Sequence, residues 1–411
     1  MNKDTKVVIT GGGVLSGLGA GLEPFWQGLL DNRSAISVKQ EWNVPDLHRQ
    51  ERMYFGQCVD FTLGEYFSSL RPPLPLKYSQ LAMIGCHLAI QNAGLDLTAL
   101  TPERIGLILD TSFSATGAAE AFLYKLYQDG PAKVSPFVFT KTTTNCALGD
   151  VARAFKIKGP SSILLGENSV CYGYDLIKNG KADVVLCGGF DEIREPTLLA
   201  YYRRGYIALL EEGETRTFAE WLKDETGIII FGEGSAFVVL ESAEHAAGRG
   251  AAVYAEMVDY HISGDGSYND FIYERDPDHL TDHLRDFCDR LPALREAVRL
   301  VVGGAGLPWH IRDYEAPALK TLWGQDEAPA YTTIKGRTGE TFSASPIMSL
   351  LAGALCLKND TVVGTGYDSG QTGLGDQAPT YTRPQTFGPG AYALVNSVHL
   401  GGNTVTIAIT R

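Results

Sequence analysis

Residues 158–192, KGPSSILLGENSVCYGYDLIKNGKADVVLCGGFDE, constrain the fold more than any other stretch. The apolar run from Ile163 to Leu165 ends at Gly166. An amphipathic stretch follows to Ile177 and stops at Asn179-Gly180, and Ala182 to Cys187 then reads as a buried strand. The order is strand, tight turn, helix, strand. Such a turn places a side chain at a helix N-terminus, where unpaired N–H groups and the positive dipole end favour developing negative charge. It is a seat for an activated nucleophile. Yet the residues at this turn are Glu167, Asn168 and Ser169, with no cysteine among them.

The rest of the chain repeats this grammar. Lys6 to Thr10 is a β-branched strand running into Gly11-Gly12-Gly13, which reads as a tight turn where backbone passes close to backbone. The G-x-G-x-x-G spacing of a dinucleotide site fails, because Ser16 stands where a glycine is needed. Helices are expected over Pro24 to Asp31 and Tyr78 to Ala93, with 38–76 irregular. Ile105 to Leu109 is a strand opening into a small-residue turn and an amphipathic helix. A second half begins near Ala251. It holds a strand (253–258), a helix (about 278–290), the strand Val298 to Val302 ending in Gly303-Gly304, and a helix around 315–323. A strand (331–334), a buried helix (344–357) and two closing strands (391–396 and 404–410) complete it. Each half has a strand, a glycine turn, an apolar helix and paired strands. This is a structural duplication with halves 1–250 and 251–411.

With 411 residues, 44% hydrophobic and 20% charged, the chain has the composition of a soluble globular protein. No apolar stretch approaches the roughly 20 residues that span a bilayer. The opening MNKDTKVVIT is not a signal peptide. The seven cysteines form no C-x-x-C pair and read as free thiols in core positions of a cytoplasmic protein. A net charge of −13 argues against nucleic acid. It also requires any acidic partner to dock on a local basic patch or on another subunit. His279 and His283 have the i, i+4 spacing of metal ligands. Asp278, Asp282 and Asp286 surround them without an H-E-x-x-H pattern, so a solvated acidic helix face is expected and no metal or other cofactor.

In order and spacing, VVITGGGVLSGLG at 7–19, SPF at 135–137, KGPSSILL, ADVVLCGGFDE, FGEGSAFVVLES at 231–242, GRTGE at 336–340 and NSVHLGG at 396–402 resemble the β-ketoacyl synthase family of condensing enzymes. The resemblance covers nearly the whole chain. It implies an α/β thiolase-like fold of two pseudo-duplicated halves in α-β-α-β-α layers. It also implies a decarboxylative condensation run by a cysteine thioester and two histidines. Counted from Gly159-Pro160, the nucleophile position falls on Asn168. Counted back from Gly180, the helix is about five residues short of the family pattern. The two histidine positions fall on Gly304 and Glu340. Lys335 and Glu233 are retained neighbours, and Leu400 stands where the family carries a gating phenylalanine.

An amide forms no thioester, glycine donates nothing to an oxyanion, and a carboxylate repels an enolate, so no catalytic residue is expected. Cys171 inside the helix reads as core, and no histidine is placed to activate Ser169. Lys335 and Glu340 read as an ion pair in the space of the lost histidine. The resemblance therefore implies a chain length factor of a type II polyketide synthase. Such a subunit pairs with an active ketosynthase, meets the acyl carrier protein through that complex, and shapes the acyl tunnel. Phe113 is then the candidate tunnel wall at the interface. Phe122, Tyr124 and Tyr127 are open to either a tunnel or a packing role. Two alternatives stay open: a residual decarboxylase or acyltransferase using Glu340, Ser169 or Cys171, and a homodimeric acyl-binding scaffold.

Overall fold

The computed structural model describes residues 5–44, 49–166, 168–225, 229–266, 275–291, 294–399 and 401–411. Ten strands form one sheet path: β1 (Val7–Ser16), β2 (Ile105–Asp110), β3 (Ser161–Leu164), β4 (Val184–Asp191), β5 (Gly234–Ser242), β6 (Ala255–Gly264), β7 (Val298–Val302), β8 (Ala330–Thr332), β9 (Tyr392–Val398) and β10 (Asn403–Thr410). Their order is β3-β2-β4-β5-β1-β6-β10-β9-β7-β8. On one side β3, β2 and β4 run parallel and β5 and β1 follow antiparallel. On the other side β8, β7 and β9 run parallel, then β10 and β6 antiparallel. Residues 7–9 of β1 pair with 255–257 of β6 and join the halves. The duplication expected from sequence is thus a mirror order about one strand pair.

Alternation along the strands builds the layers. Val185 and Cys187 of β4 point into one core with Ala393 and Val395 of β9, whereas Val184 and Leu186 point into a second and Leu394 into a third. The central core takes helix α4 (Ser169–Lys178) and helix α7 (Ser345–Lys358), of which every residue but Lys358 is buried. Helices α1 (Lys77–Asn92) and α3 (Asn145–Phe155) cover one outer face. Helices α5 (Pro277–Arg290) and α6 (Ala316–Trp323) cover the other. Strands buried on both faces read as continuous apolar runs, which is why β2, β4 and β7 were legible. Helix α2 (Thr116–Asp129) buries none of its residues; Tyr124 and Tyr127 are exposed with Leu123, and Phe122 is half-buried, so these aromatics are not core.

Three expectations are corrected. Gly11 to Gly13 do not turn; β1 continues through them to Ser16, because α1 lies directly on the strand. A Cβ at Gly13 would stand 2.5 Å from Gly85 O and 2.8 Å from Leu88 C, backbone atoms of that helix. Residues 38–76 are not irregular throughout; strands Ile36–Val44 and Arg49–Gly56 form an antiparallel pair. Asp278, Asp282 and Asp286 of α5 do form an exposed acidic face, but His283 is turned away from it. His283 is 2% exposed, with Nε2 3.0 Å from Thr406 Oγ1 and Nδ1 2.6 Å from Ser263 Oγ, so both ring nitrogens are used. Among the described residues no group of three side chains is arranged to hold a metal. None of the described helices is long and apolar enough to cross a membrane.

Replacing Gly13 by Ala should cost about 1–3 kcal/mol, because the intruded atoms are backbone and cannot rotate away. A lowered urea midpoint, with Gly64→Ala unchanged where a Cβ meets nothing within 4 Å, is the expected result. Equal midpoints would show that α1 shifts freely.

Candidate functional site

The carboxyl ends of the six parallel strands converge on one buried polar cluster. Asp110 ends β2, Asp191 ends β4, Gly303 and Gly304 follow β7, Lys335 follows β8, and His399 follows β9. Helix α4 starts there with Asn168 as its N-cap residue, and the turn before it is the one the sequence singles out.

That helix end is already occupied. The Asp110 carboxylate, 1% exposed, accepts the Ser169 N–H at 2.5 Å. Anionic oxygen at a helix N-terminus is held by the free N–H groups and the dipole. Asn168 offers no cap of its own; its Oδ1 and the Ser169 Oγ are buried and hydrogen-bonded to nothing among the described residues. Cys171 is 2% exposed, and burial first, then the Asp110 and Asp175 charges, push its thiol well above the ordinary range. It is a packed thiol without the exposed, electropositive surroundings that activate a nucleophile.

Lys335 and Glu340, each 3% exposed, meet at 2.6 Å between Nζ and Oε2. Lys335 Nζ also donates to Gly304 O at 2.7 Å, and Glu340 Oε1 accepts the Phe342 N–H at 2.8 Å. Gly304 leaves little room for a side chain, since a Cβ would lie 3.1 Å from Asn396 O and from Ser397 Cα. Its N–H donates to Glu315 Oε1 at 2.9 Å, and Glu315 Oε2 accepts the Tyr331 hydroxyl. Burial pushes the Glu315 carboxyl up, against the pull of these donors and of Lys335.

His399 is 1% exposed, with Nε2 3.2 Å from Ser397 Oγ, and its carbonyl accepts from Arg275. Burial pushes it down to about 3; the Asp110 and Glu340 carboxylates oppose this, while Lys335 and Arg275 add to it. His310 is pushed down to about 3 by burial and by Lys335.

The cluster therefore brings together Asn168, Gly304, Lys335 and Glu340, all named from sequence. It does not include the Glu233 side chain, which pairs with Lys77 at 2.8 Å and with Gln57 in a surface recess of about 250 Å³. Phe113 is half-buried, its ring edge-on to Phe342 at 4.8 Å and to Tyr201 at 6.0 Å. Leu400 and Glu167 lie outside the described residues. Sequence reasoning missed Asp110, Asp191, Phe342 and His399. A carboxylate closing an apolar strand, as in IGLILD at 105–110 and VVLCGGFD at 184–191, was the available signal for the first two.

Two half-sheets in mirror order, with polar residues gathered at their carboxyl ends and helices between them, define a thiolase-like condensing-enzyme fold. Residues 4–246 match the β-ketoacyl synthase N-terminal domain and residues 254–366 the C-terminal domain. The chain belongs to the β-ketoacyl synthase family. It is 24% identical over 426 residues to the 3-oxoacyl-[acyl-carrier-protein] synthase 2 of Vibrio harveyi, covering 99% of this chain and 98% of that one. The Synechocystis protein of the same name is 27% identical over 266 residues, 63% of each chain. Among solved structures, the ishigamide ketosynthase/chain length factor superposes with a TM-score of 0.84 at 22% identity, over 99% of both chains. A type II PKS ketosynthase in complex with its acyl-carrier protein superposes at 0.82 and 20% identity, again over 99% of both.

The buried histidines set a pH dependence. His283, His310 and His399 each stand at about 3 when folded, against ~6.5 unfolded. The stability they contribute is complete above about pH 6.5 and is lost as pH falls toward 3. Asp191, raised by burial to about 6, acts oppositely: its contribution is present below ~3.9 and lost as pH rises through 6. His87 and His261 are lowered by burial as well, and these five histidines outweigh the raised carboxyls of Asp191, Glu192 and Glu315, so the urea midpoint should drop between about pH 7 and about pH 5. His399→Gln should make that drop shallower; a slope unchanged by the substitution would remove His399 from the account.

Proposed function

We propose that this chain is a non-catalytic ketosynthase-like subunit of the chain length factor kind. In this reading it pairs with an active β-ketoacyl synthase and shapes the acyl tunnel during type II polyketide or polyene elongation. One observation carries the reading: the helix end that would seat a thiolate holds the Asp110 carboxylate instead, beside Asn168. A second negative charge there would oppose any thiolate or oxyanion. The Lys335–Glu340 pair supports it further, because it puts a bonded carboxylate where the family pattern places a histidine.

The surface supports pairing. Strand β3 ends the sheet path with partly exposed residues, and Leu165 beyond it is 72% exposed. Phe137, Val138 and Phe139 are exposed, as are Leu123, Tyr124 and Tyr127 of α2. A free strand edge and a concentration of apolar surface mark a partner-binding face. The partner is read as the cysteine-bearing ketosynthase, with the acyl carrier protein met through the complex; the similar ishigamide protein is a ketosynthase/chain length factor. Phe113, half-buried beside this region, is read as the wall that limits chain extension.

Purified chain incubated with malonyl- and acyl-loaded carrier protein should take up no acyl group and release no carbon dioxide. With an active ketosynthase it should elute as a one-to-one heterodimer, and elongation should need both chains. Mass spectrometry placing a covalent acyl group on this polypeptide would overturn the reading. In the reconstituted pair, Phe113→Ala should shift products to longer chains; an unchanged distribution counts against the wall role.

A further inference from the structure

Phe342 combines features that no structural economy explains. Its φ is 49°, in the left-handed region that bulky side chains avoid, and it is 1% exposed. Such a conformation persists only where neighbours over-determine it. Here four groups do. Glu340 Oε1 accepts the Phe342 N–H at 2.8 Å; Asp191 Oδ2 accepts the Ser343 N–H at 3.1 Å; Ser345 Oγ accepts the Thr341 N–H at 3.0 Å; and Lys335 holds Glu340 from behind at 2.6 Å. The Glu340 backbone is fixed as well, its N–H bonded to Ile230 O and its carbonyl to Gly232 N.

The ring is thereby driven into a nest of aromatic faces, with Phe113 at 4.8 Å, Phe231 at 5.4 Å and Tyr201 at 6.3 Å. Asp191 clamps the opposite side too, accepting the Phe113 N–H at 2.7 Å and the Ser112 N–H at 2.9 Å. Both loops that carry the facing rings hang on one buried carboxylate.

We infer that Phe342 is a plug. It fills the apolar space over the buried polar cluster of this subunit, and Glu340 acts as the positioning residue that holds it there. The site takes no acyl chain while the plug is seated, and an apolar acyl chain is the ligand class that would enter once it is removed. If the chain pairs as proposed above, the growing substrate is housed by the partner and meets only the outer, half-exposed side of Phe113. That last consequence rests on the proposed function; the plug itself does not.

The test needs no partner. Purified chain is titrated with 11-(dansylamino)undecanoic acid, whose fluorescence rises in apolar surroundings. Wild type should show no saturable binding. Phe342→Gly, which removes the ring and suits the left-handed backbone, should bind with at least tenfold higher affinity. Glu340→Ala should bind at an intermediate level, and adding it to Phe342→Gly should give no further gain, because both changes unseat the same ring. A merely structural Glu340 would give additive effects. If the glycine variant does not fold, Phe342→Leu decides by the same titration, binding more tightly than wild type. Folded variants that bind no better than wild type overturn the inference and leave the heterodimer reading standing. Saturable binding by wild type overturns it as well.

Discussion

The ion pair between Lys335 and Glu340 is the contact on which the rest of the site depends. Two charges, each 3% exposed, are stable in a protein interior only when their remaining lone pairs and protons are also used. Here each charge gains a further bond: Gly304 O takes one ammonium proton and the Phe342 N–H donates to the second carboxylate oxygen. Removing either partner would leave an uncompensated buried charge, at a cost of about 3–5 kcal/mol. The pair therefore fixes the loop after β8 to the loop after β7, so the two glycine-containing strand ends of the second half become one rigid unit.

The first half is organised by carboxylates in the same way. Asp110 takes the first free N–H of α4, and Asp191 gathers N–H groups from Ser112, Phe113 and Ser343. Each acid closes a parallel strand, where neighbouring helix and loop ends leave N–H groups without partners. A fold that collects backbone donors at one place can use them to stabilise a reacting anion or an anion of its own. In this chain the second use is the one observed. The first N–H of α4 and the N–H groups gathered by Asp191 are already held by carboxylates of the chain itself.

Much of this was legible in the residues. Strands buried on both faces, such as VVLC at 184–187, announce themselves by unbroken apolar runs, and Asn179-Gly180 marks the end of α4 by its turn chemistry. The pairing of Lys335 with Glu340 followed from their closeness in one loop. Other features were hidden for a physical reason. Gly11 to Gly13 look like a turn in sequence, but a strand needs glycine equally where a helix backbone presses on it, and only the packing partner distinguishes the two. Glu233 was expected beside the matched triad positions, but it lies just before β5 and its side chain reaches Lys77 and Gln57 instead. His283 carries aspartates on either side in sequence while its own direction on the helix is inward, toward Thr406.

Under the function proposed above, Glu340 takes a position where the family pattern places a histidine, and the two side chains differ in what they can bond. An imidazole there could donate to a substrate oxygen, but it could not accept from Lys335 and Phe342 at once while neutral, because its single free lone pair satisfies one donor. A carboxylate accepts from both. Exchanging one for the other therefore removes a donor facing the substrate and adds an acceptor facing the protein. The local dielectric strengthens the new bonds as it would have strengthened the old ones. With Asp110 present on the facing side, restoring a single catalytic side chain would place it among groups already bonded to each other. Under the function proposed above, no one substitution would account for a lost activity, because these contacts satisfy one another as a set.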